Sequence, residues 1–276
     1  MTADWRERAQ QKRDSILEAI PSQWRIDVPS VEEAKDVTGF IEKFLSPEEI
    51  EITNTDAVGI VEKAKAGTWS AVSITKAFCH RAALAHQLTN CLHEIFFDAA
   101  VKDAEALDAV HAQGKTLGPL HGLPVSLKDQ FHVKDVETSM GYVGWIGTFQ
   151  GKKDSRYKTY ESVMVQELRS LGAILYVKTA VPHTLMCGET VNNIIGWTMN
   201  PKNRMLSSGG SSGGEGALIG AHGSPVGLGT DIGGSIRYDR PSFLILAFVV
   251  FSHMIQNSCC FQWALWSPSK LRTVAI

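Results

Sequence analysis

Three polar side chains lie in settings where serine-based nucleophilic chemistry could occur. Ser211 lies within the glycine- and serine-rich stretch 207–216, and Ser235 lies within a second glycine-rich stretch, 227–237; we expect both stretches to be loops. Glycine permits backbone angles that are closed to other residues and lets a reacting group approach the main chain closely. Lys128 stands at the end of the apolar run 123–127. A lysine and two serines could together form a nucleophilic site that needs no histidine.

The chemistry of such a site sets two requirements. A serine hydroxyl attacks a carbonyl only if a base takes its proton and donors stabilise the resulting oxyanion. Lysine can act as the base when burial favours its neutral form, and the apolar run before Lys128 predicts a dry setting. A second serine can relay the proton. The tight turn 232–235 offers consecutive backbone N–H groups to an oxyanion.

Two other motifs overlap the same glycines. Gly209, Ser211 and Gly213 fit the G-x-S-x-G nucleophile elbow of α/β-hydrolases, which requires an apolar strand directly before the serine. Residues 200–208 are polar, and only His222 and His253 lie downstream as a base, so this is the minority hypothesis. A phosphate-binding loop would need Gly-Lys-Ser/Thr after its glycines, where this chain has Glu215.

Hydrophobic periodicity predicts a layered α/β protein. We expect helices over 4–20, 56–66, 70–87, 101–112 and 162–170, an irregular connector between the first two, and strands over 123–127, 173–177 and 226–229. The helices dominate the first third of the chain, and strands alternate with helices after residue 120. This alternation indicates an α/β sheet with both faces covered.

Composition excludes several classes of protein. Hydrophobic residues make up 44% of the 276 residues and charged residues 20%, with a formal net charge of −2. These values indicate a globular chain without the basic surface that nucleic acid or an anionic membrane would require. The five cysteines are scattered without metal-ligand spacing, and the N-terminus lacks the apolar run of a signal peptide. We therefore expect a reducing, cytoplasmic setting.

The glycine-rich stretches also carry a resemblance. Residues 210–216 and 229–237, with Lys128 upstream, resemble the signature of the amidase signature family. The segments 88–91, 118–124, 137–142 and 189–193 are similar to the acetamidase-type general amidases of fungi. The resemblance runs from near the N-terminus to Arg237, and it implies an α/β/α sandwich with a mixed central sheet.

The resemblance implies a role for each signature residue. Ser235 would be the nucleophile, Ser211 the bridging serine after a cis peptide bond from Gly210, and Lys128 the base. The oxyanion hole would consist of the backbone N–H groups of Ile232, Gly233, Gly234 and Ser235, and Ser212, Asp231 and Arg237 would support the loop. The implied reaction converts a small monocarboxylic amide into its acid and ammonia, with no metal and no cofactor. The partner would be a small amide substrate, and a homodimer is left open.

After Arg237 the chain departs from the family pattern. It continues through Pro241 into the apolar run 243–251, which is shorter than the roughly 20 residues of a membrane helix, so an anchor is the minority interpretation. We expect a helical layer over 1–115, a signature core over 116–237 and a non-family apolar tail over 238–276. The sheet and acyl pocket would then be incomplete. We expect the 276-residue chain to be poorly soluble and weakly active at best. The alternative hypothesis is a catalytically silent fragment of such an amidase.

Overall fold

Helices and strands alternate along the part of the chain that the computed structural model describes, which is residues 4–236 and the backbone of 262–267 and 270–275. The helices are α1 (Trp5–Glu18), α2 (Thr38–Ile41), α3 (Pro47–Asn54), α4 (Ala57–Lys65), α5 (Ala71–Thr89), α6 (Phe97–His111), α7 (Val163–Ser170) and α8 (Gly213–Gly220). The strands are β1 (Leu92–Ile95), β2 (Pro124–Lys128), β3 (Ile174–Thr179), β4 (Val191–Asn192), β5 (Gly196–Trp197), β6 (Met199–Asn200), β7 (Asn203–Ser207), β8 (Gly227–Leu228), β9 (Gln262–Ser267) and β10 (Lys270–Ala275).

Four of these strands form the central sheet, in the order β1-β3-β2-β8. β2 pairs in parallel with β3 and with β8, whereas β1 pairs antiparallel with β3. Every residue of β2 and β3 is buried, as expected for parallel strands covered on both faces. The mixed sheet with flanking helices confirms the α/β architecture that the sequence predicts.

Helix α5 forms the centre of the hydrophobic core beneath the sheet. Ser70 caps its N-terminus by accepting a hydrogen bond from the Ser73 N–H, and Asn90 ends it in the left-handed conformation, with φ 56°. Almost all its side chains are buried, including a run of alanines and leucine from 82 to 85. The small side chains allow α5 to pack closely against α3, α6 and the sheet. The amphipathic pattern predicted the helix but understated its burial.

Most of the predicted elements are present, and three features of the sequence prediction are wrong. The connector after residue 20 is not irregular throughout, because α2 and α3 lie within it. Pro47 is the first residue of α3, where a missing N–H is harmless, and Ser46 and Glu49 form a capping box. The prediction also missed the edge strand β1. Finally, residues 213–216 belong to the buried helix α8, not to a loop.

The predicted apolar tail falls largely on residues that the structure does not describe, including 237–261. Within it, the backbones of β9 and β10 pair antiparallel, with Gln262 opposite Ala275. Among the described residues, no helix has both the length and the apolar character needed to span a membrane.

Candidate active site

Lys128 lies at the carboxyl end of β2, where the segments that precede α8 and follow β8 meet. Crevices at the carboxyl ends of parallel strands are the usual ligand sites of open α/β sheets. The side chain is fully buried. Its Nζ donates to three hydroxyl oxygens, those of Ser211 at 2.8 Å, Ser212 at 2.9 Å and Thr230 at 3.0 Å. Two predicted site serines therefore contact the predicted lysine.

The hydroxyls around Lys128 are themselves tied to fixed acceptors. Ser212 Oγ donates to the Thr230 carbonyl at 3.2 Å and accepts from the Thr230 N–H at 3.3 Å. Thr230 Oγ1 donates to Gln130 Oε1 at 2.7 Å. Sequence analysis did not single out Thr230 or Gln130. Thr230 adjoins the predicted Asp231, but nothing in the local pattern pairs it with Gln130.

The chain approaches Ser211 through a closely packed glycine. The peptide bond between Gly210 and Ser211 is cis, as the resemblance implied. A Cβ on Gly210 would lie 2.5 Å from the Cys187 carbonyl oxygen and 3.0 Å from the Glu189 N atom. Glycine at 210 is thus required by the close approach of the backbone of Cys187 and Glu189.

The loop that contains Ser235 is shaped by the carboxylate of Asp231. Asp231 Oδ1 accepts from the Gly234 N–H at 2.7 Å, and Oδ2 accepts from the Ile236 N–H at 3.2 Å. The Ser212 N–H donates to the Ser235 carbonyl at 3.1 Å and thereby joins this loop to the segment of Ser211. Ser235 is partly exposed. The fold thus brings all three candidate residues into one region.

The predicted oxyanion donors differ in their availability. The Gly234 N–H is engaged by Asp231. Within residues 4–236, the N–H groups of Ile232, Gly233 and Ser235 have no hydrogen-bond acceptor. Ile232 and Gly233 are exposed, so this side of the loop is open to an approaching molecule. The remaining predicted support, Arg237, lies outside the described residues.

Glu215 is a buried group near the site that sequence analysis used only to exclude a phosphate loop. Its Oε2 accepts from Ser126 Oγ at 2.6 Å, and its Oε1 accepts from Thr179 Oγ1 at 2.8 Å. Burial raises the pKa of Glu215 to about 7, against the opposing effects of these two hydroxyls and of the Lys128 charge. One carboxyl group therefore joins the first turn of α8 to both central strands.

A buried charge pair lies next to the site. Asp129 Oδ1 is 2.9 Å from Lys178 Nζ, and both side chains are fully buried. Lys178 also donates to the Glu137 carbonyl at 2.7 Å, and Asp129 Oδ2 accepts from the Met140 N–H at 2.6 Å. Burial alone would raise the pKa of Asp129, but the Lys178 charge and the hydrogen bonds that the carboxylate accepts from Lys178 and Met140 lower it below its usual value.

The path of the chain before Ser211 disfavours the α/β-hydrolase alternative. A nucleophile elbow follows a strand of the main sheet. Here the preceding strand, β7, pairs with β6 in a separate two-stranded sheet.

Comparison with known proteins shows which family the chain resembles. The sequence profile of the Amidase family matches residues 73–239, more than half of the chain. The acetamidase of Emericella nidulans is 50% identical over 240 residues, covering 86% of this chain and 42% of that protein. The acetamidase of Aspergillus oryzae is 49% identical over 239 residues with the same coverage.

Solved structures show the same fold. A fatty acid amide hydrolase superposes with a TM-score of 0.79 at 42% identity, covering 86% of this chain and 42% of that one. A bacterial aryl acylamidase of the amidase signature family superposes with a TM-score of 0.61 at 29% identity, covering 67% and 37%. The chain thus spans less than half the length of the relatives that it matches. With the family profile and the relatives in agreement, this chain belongs to the amidase family.

Proposed function

We propose that this chain carries the catalytic centre of an amidase that hydrolyses small aliphatic amides through a serine-bound acyl intermediate. The observation that carries the proposal is the buried contact between Lys128 Nζ and Ser211 Oγ at 2.8 Å, beside the loop of Ser235. A buried amine next to a hydroxyl is suited to proton relay, because burial disfavours the charged form of lysine. The named relatives support the reaction class.

In the first half of the proposed reaction, Ser235 Oγ attacks the amide carbonyl carbon. Its proton passes to Ser211 Oγ while Ser211 gives its own proton to neutral Lys128. The carbon becomes tetrahedral, and its oxygen takes up the negative charge. Protonation of the amide nitrogen by the same route lets the C–N bond break, which releases ammonia and leaves an ester on Ser235.

In the second half, a water molecule replaces the amine. Lys128 removes a proton from the water through Ser211, and the resulting hydroxide attacks the ester carbonyl. Collapse of the tetrahedral intermediate breaks the C–O bond, and Ser235 recovers its proton. The products are one carboxylic acid and one ammonia per amide, and the lysine returns to its starting state.

The oxyanion would be stabilised by backbone donors of the Ser235 loop. We assign this role to the N–H groups of Ile232, Gly233 and Ser235, which have no hydrogen-bond acceptor within residues 4–236. Gly234 remains a predicted member of the set, and its N–H would contribute only if it also turned from Asp231 towards the substrate. Aligned backbone donors at such a site are worth about 3 kcal/mol each in the transition state. Asp231 acts by keeping the loop in shape.

Acetamide-like substrates are the class that we propose. Two relatives at about half identity, the acetamidases of Emericella nidulans and Aspergillus oryzae, are named for this activity.

The decisive experiment measures ammonia release from acetamide by the purified 276-residue chain. Ser235→Ala is the inactive reference, and Ser15→Ala, on an exposed position of α1, is the matched control. In parallel, intact-protein mass spectrometry follows covalent labelling of Ser235 by a fluorophosphonate, which forms a stable adduct with activated serines.

The outcomes separate three cases. Ammonia release and labelling that disappear with Ser235→Ala, but persist with Ser15→Ala, support the proposal. Labelling of Ser235 without turnover would mean that the residues are activated here but that amide turnover needs more than this chain. Absence of both, in a chain that unfolds cooperatively, would overturn the proposal in favour of a catalytically silent fragment.

A further inference from the structure

The hydrogen-bond directions around Lys128 single out one proton path. Nζ contacts the hydroxyls of Ser211, Ser212 and Thr230 at 2.8, 2.9 and 3.0 Å. A hydroxyl has one proton to donate and can accept others. In the neutral form that a base requires, Nζ has a single lone pair, so one of the three hydroxyls can give it a proton.

Two of these hydroxyls already have their proton committed. The proton of Ser212 goes to the Thr230 carbonyl at 3.2 Å, and the proton of Thr230 goes to Gln130 Oε1 at 2.7 Å. Ser211 is the one of the three whose proton has no other acceptor within residues 4–236. The arrangement therefore directs the lone pair of neutral Lys128 to Ser211, the relay residue.

Gln130 is the part of this arrangement that can be removed without touching the lysine or the serines. It lies two residues beyond Lys128, on the segment that leaves β2, and Thr230 lies two residues beyond the end of β8. These parallel strands are neighbours, with Leu127 opposite Leu228, so the two segments leave the sheet side by side. The amide of Gln130 reaches the Thr230 hydroxyl for this reason, although 100 residues separate them.

We infer that Gln130 is a positioning residue that keeps the Thr230 hydroxyl from donating to Lys128, so that the lysine accepts its proton from Ser211. This inference rests on the proposed function. Without the Gln130 oxygen, the Thr230 hydroxyl could rotate and occupy the lone pair of neutral Lys128. The base would then be blocked for part of the time, whereas substrate binding would be unaffected.

The charges near Lys128 favour a neutral side chain, rather than a carboxylate, at position 130. Glu215 interacts with Lys128 across the first turn of α8, and Asp231 lies on the loop after Thr230. Asp129, the residue that follows Lys128, is paired with Lys178. An amide at 130 sets the direction of a hydroxyl without adding another charge to this group, which a carboxylate there would do.

The test is a double-mutant cycle on the rate of Ser235 labelling by a fluorophosphonate. Gln130→Met keeps the length of the side chain and removes the acceptor, and Thr230→Val removes the hydroxyl that would interfere. Because a single neutral hydrogen bond makes a modest net contribution, we expect Gln130→Met to slow labelling by roughly three- to tenfold at saturating probe, with an unchanged half-saturating concentration. In the Thr230→Val background, Gln130→Met should have no further effect.

Two results of this double-mutant cycle would contradict the inference. Labelling of Gln130→Met at the wild-type rate would overturn the inference. So would a slowing of equal size in the Thr230→Val background, because Gln130 would then act independently of Thr230. If Gln130→Met lowers the melting temperature strongly, Gln130→Glu decides, since a carboxylate still accepts from Thr230. Gln130→Glu should label at the wild-type rate at high pH, and the midpoint of its pH–rate profile should shift upward. A loss of rate like that of Gln130→Met would count against the inference.

A second measurement keeps the inference separate from the proposed function. If no form of the chain reacts with the probe, the proposed function fails, and the titration of Lys128 is followed instead by NMR of ¹³C-labelled lysine, assigned with Lys128→Met. A Thr230 hydroxyl freed to donate would stabilise the neutral amine. Gln130→Met should then titrate at lower pH than wild type, and an identical or higher midpoint would overturn the inference.

Discussion

Lys128 and Asp129 are neighbours in sequence, yet they make their contacts on opposite sides of the sheet. Lys128 Nζ lies 2.8 Å from Ser211 Oγ, whereas Asp129 Oδ1 lies 2.9 Å from Lys178 Nζ. Side chains alternate along an extended strand, so consecutive residues face different layers. The alternation leaves the candidate base among hydroxyls, and it keeps the nearest carboxylate in sequence paired elsewhere. Both relationships lead to measurable consequences.

Lys128→Met should abolish the chemistry without unfolding the chain. A general base contributes about 10²–10⁴-fold to a rate, so labelling of Ser235 should fall by at least about a hundredfold. The free energy of unfolding should change little, because methionine fills a similar volume and the Ser212 and Thr230 hydroxyls keep their other hydrogen-bond partners. Labelling kinetics and urea unfolding measure the two effects, and a large loss of stability would contradict this prediction.

Asp129→Asn should strongly destabilise the protein. It leaves the Lys178 ammonium fully buried without its anion, and such a change typically costs about 3–5 kcal/mol. Replacing both groups, as in Asp129→Leu with Lys178→Met, should cost less than the sum of the two single changes. Urea unfolding measures the loss in Asp129→Asn, and the comparison uses wild type, Asp129→Leu, Lys178→Met and the double variant. Additive effects would show that the pair does not act as a unit.

Glu215→Gln should weaken the pH dependence of stability. The pKa of Glu215 rises from 4.5 to about 7 in the folded protein, because its carboxyl is buried. The folded state therefore binds this proton more tightly than the unfolded state. The resulting stabilisation is complete below about pH 4.5 and is lost as the pH rises through about 7.

Unfolding midpoints in urea at about pH 5 and about pH 8 would test this effect of Glu215. Wild type should lose more stability over that interval than Glu215→Gln, which cannot titrate. Burial also raises the pKa of Glu94 to about 7, so part of the slope should persist in the variant. Equal slopes for the two proteins would contradict the prediction.

Gly214→Ala should destabilise the start of α8. A Cβ at this position would lie 2.5 Å from the Ala180 carbonyl oxygen and 2.8 Å from that of Cys91, and both atoms belong to rigid backbone. Overpacking of this kind costs about 1–3 kcal/mol, and labelling of Ser235 should fall as well because the helix follows Ser211 and Ser212. The matched control is Gly39→Ala in α2, where a Cβ would meet no atom within 4 Å.

The control should retain its melting temperature or gain slightly, since alanine favours a helix over glycine. Thermal unfolding of both variants provides the measurement. If Gly214→Ala had the same melting temperature as Gly39→Ala, the close approach of Ala180 and Cys91 would not restrict position 214 to glycine.

Local pattern was sufficient to predict many of the elements. The helix ending at Thr89 was predictable from Ser70 and its apolar periodicity, and β2 and β3 from short apolar runs. Lys128, Ser211 and Ser235 were singled out by residue type and glycine framing, and their roles came from a resemblance. The structure places these three residues in one region.

Other features depended on contacts that local pattern does not encode. A stretch with four glycines from 213 to 220 has poor helix propensity, yet it forms α8 because it is buried between the sheet and α5. The edge strand β1 is too short to be recognised by periodicity, and its pairing with β3 defines it. In both cases packing outweighs intrinsic preference.

The sequence by itself determined which residue types are available for chemistry, because glycine, serine and lysine have properties that do not depend on the fold. Only the tertiary structure decided which groups meet. Lys128 and Ser211 are separated by 83 residues, and Thr230 and Gln130 by 100. Their contacts depend on the parallel register of β2, β3 and β8, in which a shift by one residue would turn each side chain to the other face. The direction of each proton around Lys128 is therefore a property of the assembled sheet.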